Sequence, residues 1–141
     1  MLKIPVKLIY ICGPLSAPTE EGIDANVKRA HEAGRKVWAV GAMAIIPHLN
    51  SPSRIFKDVM TAEMIYIADL ELLDRCDYVF RLPGWRDSYG SRLETAWANF
   101  RQIPVYESFE ELEKKLNGSS AHNEVDVDPK KRTTEEQFIR T

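Results

Sequence analysis

The sequence is short of the residues that build metal centres and disulfide frameworks: 141 residues hold two cysteines and three histidines. Cys12 falls at a strand end and Cys76 just before a strand, as small buried residues do, so they read as neither a disulfide pair nor a metal site. His31 and His122 have no ligand-like spacing to cysteine or carboxylate, and no metal is expected. No apolar run approaches the ~18 residues of a membrane span. The opening MLKIPVKLIYICG lacks a cleavage pattern and fits a first strand better. A cytoplasmic protein is the expectation. Charge of one sign is missing too: 19 Lys and Arg stand against 21 Asp and Glu. That balance offers no field for a nucleic-acid polymer or a membrane surface. Only Lys130, Lys131 and Arg132 cluster. The glycines form no Walker or dinucleotide fingerprint, and there is no internal repeat or low-complexity tract.

What is present is an alternation of strand and helix signals in a length that suits one domain. Residues 6–12 (VKLIYIC) are almost continuously apolar, as in a strand covered on both faces. Gly13-Pro14 ends that strand, and the loop through Glu21 carries Ser16 and Thr19. Apolar residues at helical spacing predict a helix over 24–40, stopped at Gly41. A short strand follows over 43–47 and a Pro/Asn/Ser loop over 48–57. Thr61, with Asp58 competing, caps a helix reaching about Arg75. Residues 78–82 form the third strand, closed by Pro83-Gly84. Ser88 caps a helix over 89–100, 103–106 is a fourth strand, and Ser108-Phe-Glu-Glu111 is a capping box for a last helix. This order predicts a three-layer α/β domain with a mostly parallel sheet of four to five strands. It covers residues 1–118. Residues 119–141 change character and read as a polar tail, disordered or docked on a neighbour.

The candidate chemistry lies around the third strand. Asp69 sits on the preceding helix, with Ile65, Leu72 and Leu73 as its helical neighbours. Such flanks raise a carboxyl pKa by desolvation, which suits a proton donor. Glu94 lies in the second turn of the next helix, on the face of Gly90, Trp97 and Ala98. The positive helix end and nearby amides favour its charged form, which suits a nucleophile. Two carboxyls in unlike environments are the material for an acid beside an ionised partner. An ordinary helix-surface acid fits each position as well. Asp74 and Asp77, at a helix end and a strand start, read as structural. Ser88, Gly90 and Ser91 at a helix start, with Ser16 and Arg92, form a candidate anion cradle, or simply a capped helix. Tyr10, Trp85 and Tyr89, with His48, are candidates for stacking on a base, or for core. Gly13 and Pro14 stand at the carboxyl end of the first strand, where open α/β sheets bind ligands.

Taken in order, YICGP (10–14), DLELLDRCDYVF (69–80), SYGSRLETAWA (88–98) and IPVY (103–106) resemble the nucleoside 2-deoxyribosyltransferase-like family over about residues 6–117. The resemblance implies a flavodoxin-like fold and cleavage of N-glycosidic bonds in nucleosides or nucleotides. It implies Glu94 as nucleophile, Asp69 assisting the departing base or orienting the sugar, and Tyr10 and Gly13 lining the site. Six residues before the nucleophile, members acting on free nucleosides carry Asp, whereas those hydrolysing nucleoside 5′-monophosphates carry Ser, with Gly two residues on. Ser88 and Gly90 therefore imply a nucleotide substrate, since a carboxylate would repel phosphate. Asp87, next door, and Glu20-Glu21 in the first loop run against that implication. The resemblance further implies a homo-oligomer whose neighbouring subunit completes the site. No cofactor is needed, because the enzyme carboxylate itself holds the sugar. The expected activity is an N-glycosidase acting on a (deoxy)nucleoside 5′-monophosphate. Base exchange on free deoxynucleosides, or nucleotide binding without turnover, are the alternatives.

Overall fold

The computed structural model describes residues 2–50, 56–118 and 125–127. Its centre is the apolar run seen in the sequence. Strand β2 (Leu8–Cys12) pairs in parallel with β3 (Met43–Ile45) on one side and β4 (Tyr78–Arg81) on the other. β4 in turn pairs in parallel with β5 (Val105–Tyr106). The sheet order is β3-β2-β4-β5, so the layout is the flavodoxin-like α/β arrangement expected.

The side-chain period of two sorts β2 between two cores. Ile9 and Ile11 face helix α1 (Glu20–Ala39), meeting Ala30, Ala33 and Val37, with Leu112 of α5 (Phe109–Gly118) in the same cluster. Tyr10 and Cys12 face the other way. They join Leu73 of α3 (Ala62–Asp74) and Ala98 of α4 (Tyr89–Phe100). Two helices on each face of one parallel sheet make the three layers.

Local chemistry sets the helix ends. Thr19 Oγ1 accepts from the Gly22 amide at 3.1 Å, so α1 begins before the expected residue 24. Glu20 and Glu21 thus sit in its first turn, where they complement the helix dipole. Thr61 Oγ1 accepts from Met64 N at 3.1 Å, and Ser88 Oγ from Ser91 N at 3.2 Å, as the cap signals predicted. Ser108 Oγ accepts from Glu111 N at 3.3 Å. Asp77 accepts from Leu8 N at 2.8 Å, and Asp74 from Trp97 Nε1 at 3.1 Å and Arg101 Nε at 2.8 Å, both structural roles.

Two expectations need correction. Pro47 opens a short helix, α2 (Pro47–Asn50), rather than ending a strand, because proline's fixed φ suits a first helical position. Residues 51–55 of the expected loop lie outside the described residues. Most of the expected polar tail lies outside them as well. Its described part, β6 (Val125–Val127), is a strand paired antiparallel with β1 (Leu2–Ile4), so that stretch is not free coil.

Candidate active site

Parallel strands end their carboxyl sides together, and here the ends of β2, β3 and β4 open onto a cavity of about 460 Å³. Gly13, Pro14 and Ser16 line it from the loop after β2, and His48 from α2. Asp69 lines it from α3, and Ser88, Gly90, Ser91 and Glu94 from α4. Tyr10 lies beneath, fully buried, and its hydroxyl donates to Glu94 Oε2. The geometry thus brings together eleven of the thirteen residues singled out from the sequence.

Trp85 is the first of two exceptions. It is absent from the cavity wall, and the expectation that it stacks on a base is corrected. Its Nε1 donates to Glu107 Oε1 at 3.1 Å, and the Arg81 guanidinium lies 3.8 Å from its ring centre, with Arg86 4.7 Å away. Arg81 also pairs with Glu107. A Trp edge and face satisfied this way brace the 3-10 turn Trp85–Asp87, which enters from Gly84 at φ 86, a backbone angle glycine adopts readily. Arg92 also turns aside: its Nη1 donates to the Arg86 carbonyl at 2.7 Å. Tyr89 does line the cavity, and its ring meets Tyr66 edge-on at 5.3 Å.

The electrostatics reverse one expectation. Glu94 is 8 % exposed. Burial pushes its pKa up to about 8, helped by the nearby Asp69 charge and opposed by the Tyr10 and Cys12 donors. Asp69, half-buried, is raised only to about 6, by burial. Burial thus holds both carboxyls above the ordinary range, Glu94 more strongly than Asp69. The helix end does not rescue the Glu94 charge, because the dipole effect fades beyond the first turn while desolvation acts wherever water is excluded. Burial, with the Glu94 and Asp69 charges, drives the Tyr10 phenol far above its ordinary range, so it remains a neutral donor. Burial likewise pushes the Cys12 thiol up, and its Sγ lies 3.6 Å from the Ser91 carbonyl.

Several contributors carried no sequence signal. Asn26, 7 % exposed on α1, donates to the Leu15 carbonyl at 3.0 Å and so fixes the loop after β2. Tyr66 packs beside Gly90, where an added Cβ would come within 3.3 Å of its ring. Lys57 and Met60 line the wall ahead of α3, and Asp87 lines it beside Ser88. Cys12 read as core alone, because its spacing from Tyr10 gives the shared face but not that Ser91, 79 residues on, meets that face. Among the described residues there is no group of three His, Cys, Asp or Glu placed to hold a metal ion, and no helix is long and apolar enough to cross a membrane.

The fold has solved relatives. A structure of 2-deoxyribosyltransferase from the psychrotolerant bacterium Bacillus psychrosaccharolyticus superposes with a TM-score of 0.55 at 17% identity. The match covers 75% of this chain and 90% of that one. At that identity the likeness speaks for the fold. No curated protein matches the sequence. Residues 7–108 match the family model for a domain of unknown function, DUF7768, and since that stretch spans most of the sequence, the chain belongs to this family.

Proposed function

We propose that this protein is an N-glycosidase that cleaves the base–sugar bond of a (deoxy)nucleoside 5′-monophosphate through a covalent glycosyl–Glu94 intermediate. The observation that carries this reading is the convergence of Glu94, Asp69 and Tyr10 at one cavity at the carboxyl ends of the strands.

One proton moves between the two carboxyls over the cycle, and burial of both keeps it within reach. Glu94 hands its proton to the charged Asp69 and becomes a carboxylate, steadied by the Tyr10 hydroxyl. That carboxylate attacks the anomeric carbon. As the carbon–nitrogen bond breaks, the base leaves with the electron pair and takes the proton now on Asp69. The products of this half are a neutral base, a glycosyl ester on Glu94 and an ionised Asp69. Asp69 then removes a proton from water as the water attacks the same carbon. Sugar phosphate departs, Glu94 leaves as carboxylate, and the remaining proton returns to it. No cofactor enters these steps. Ser88, Gly90 and Ser91 at the start of α4 face the 5′ end of the substrate, where an anion is favoured.

A second reading rests on Asp87. A carboxylate lining the cavity beside Ser88 suits a 5′ hydroxyl better than a phosphate, and so favours base exchange on free deoxynucleosides. The chain works as a homo-oligomer in this proposal. In support, Met64 and Ile67 of α3 stand 51% and 57% exposed, and Val59 just before it 64%. These side chains lie on the segment that walls the cavity, so a second copy covering them also closes the site.

Incubation with 2′-deoxynucleoside 5′-monophosphates, and separately with deoxynucleosides plus a second free base, tests both readings. Free base released from the monophosphate supports hydrolysis, and exchanged base supports the transferase. Ligand binding with no product under either condition means a nucleotide-binding module. Turnover surviving Glu94→Ala removes the nucleophile from the scheme.

A further inference from the structure

Among the described residues, two buried side-chain atoms find no hydrogen-bond partner within the protein: His48 Nδ1 and Ser91 Oγ. Both residues line the same cavity. His48 is 8 % exposed and Ser91 1 %, so bulk water is not the easy partner it would be at a surface. Buried polar atoms are almost always satisfied, and an orphan costs stability. Two orphans meeting at one cavity therefore describe the polar outline of what fills it.

The chemistry of each orphan is fixed by its neighbours. His48 Nε2 lies 2.9 Å from the Gly13 carbonyl and 3.2 Å from the Pro14 carbonyl. Carbonyls only accept, so Nε2 carries the hydrogen, and in a neutral ring Nδ1 is then a bare acceptor. Burial lowers the His48 pKa, which keeps the ring neutral. A bare acceptor repels a phosphate oxygen and asks for an N–H or O–H. Pro47 beside it and Met60 in the same wall are apolar. Ser91 belongs to a different wall element, in the first turn of α4. Its own N–H is taken by Ser88 Oγ, while its hydroxyl has only the Cys12 thiol beside it, a weak partner.

We infer that the substrate lies across the cavity with a neutral hydrogen-bond donor on His48 Nδ1 and a second polar group on Ser91 Oγ. The anionic end therefore belongs to the α4 flank and not to the His48 flank. This deepens, and rests on, the nucleotide-cleaving reading. The donor comes either from the base, as an amine or ring N–H, or from the 3′ hydroxyl of the sugar.

The test uses protein carrying Glu94→Gln, which holds substrate uncleaved, with ¹⁵N-labelled histidine. The four common 2′-deoxynucleoside 5′-monophosphates are titrated by calorimetry. The tightest is then compared with its analogue carrying C–H in place of the base donor, and with its 3′-deoxy analogue. The expected result is a shift of the His48 Nδ1 resonance on binding, with affinity falling about 10- to 100-fold for one analogue. The analogue that loses affinity names the donor. His48→Gln keeps a donor for the Gly13 carbonyl but lacks Nδ1, and should bind parent and analogue alike. Ser91→Ala removes an orphan hydroxyl, so it should weaken binding while leaving the ligand-free protein as stable or more so. Binding of the parent with Nδ1 unmoved and both analogues equal overturns the inference and leaves the glycosidase reading intact. A Ser91→Ala protein that loses stability but not affinity overturns the Ser91 half. Failure of all four nucleotides to bind overturns both readings together.

Discussion

Replacing Glu94 by Gln should make the protein inactive and, in alkaline solution, more stable. The folded pKa of about 8 stands well above the ordinary 4.5 of a glutamate. Below about pH 4.5 both folded and unfolded chains hold the proton, and the residue adds no pH dependence. Between there and about pH 8 the unfolded chain releases it while the folded chain keeps it, so stability falls as pH rises. Fully developed, that difference is on the order of 5 kcal/mol, comparable with the whole stability of a domain this size. Gln is neutral throughout and keeps an oxygen for the Tyr10 hydroxyl. It brings an amide N–H₂ with no assured partner, at a cost of ~1–3 kcal/mol. The variant should therefore match or trail the wild type at pH 5 and exceed it by roughly 2–4 kcal/mol at pH 9. Urea denaturation followed by tryptophan fluorescence at pH 5, 7 and 9 measures this directly. Asp69 titrates in both proteins, and its coupling to the Glu94 charge is part of the difference measured. Parallel loss of stability in the two proteins from pH 5 to 9 would refute the claim that burial sets the state of Glu94.

Other outcomes follow from the same geometry. Tyr10→Phe removes a donor to Glu94, so the Glu94 pKa should rise by about one unit or more, visible as a carboxyl ¹³C titration displaced to higher pH; an unmoved titration would show that the hydroxyl does not serve the carboxylate. Ser88→Ala should cost about 1 kcal/mol in chemical denaturation through loss of the α4 cap, with a larger loss of affinity for monophosphates than for nucleosides by calorimetry. Trp85→Ala should raise KM through a loosened 85–87 turn while leaving kcat within a few fold, since the ring braces the wall without touching the cavity. Met64→Glu with Ile67→Glu should lower the mass in sedimentation velocity from that of the proposed oligomer to that of the monomer, and a wild type that already sediments as a monomer would refute the oligomer.

Much of this was legible because the relevant chemistry is local. The span of α4, from Ser88 to Phe100, follows from a serine cap and an apolar face, both written within a dozen residues. The central strand announced itself as an apolar run because both of its faces are covered. The features that escaped detection depend on distant partners. β1 meets β6 across more than a hundred residues, which no short window reveals. Trp85 is an aromatic beside a glycine turn, and nothing nearby says that Glu107 will claim its indole N–H. The rise in the Glu94 pKa escaped for a related reason. Helix position can be read from the chain, but burial arises from distant groups such as Tyr10 and Cys12 meeting the carboxyl. Asn26 looked like any helix polar residue until its contact with the Leu15 carbonyl placed it behind the loop.

The two-sided strand at the centre of the sheet has a practical consequence for anyone wishing to redirect this protein. Ile9 and Ile11 anchor one core while Tyr10 and Cys12 anchor the other and carry the site's floor, so no position of the strand is free to vary for chemistry alone. Tolerance to redesign is concentrated at the rim, at Lys57, Met60, Tyr66 and Asp87. A mutant library confined to those four positions samples new ligands without gambling the sheet.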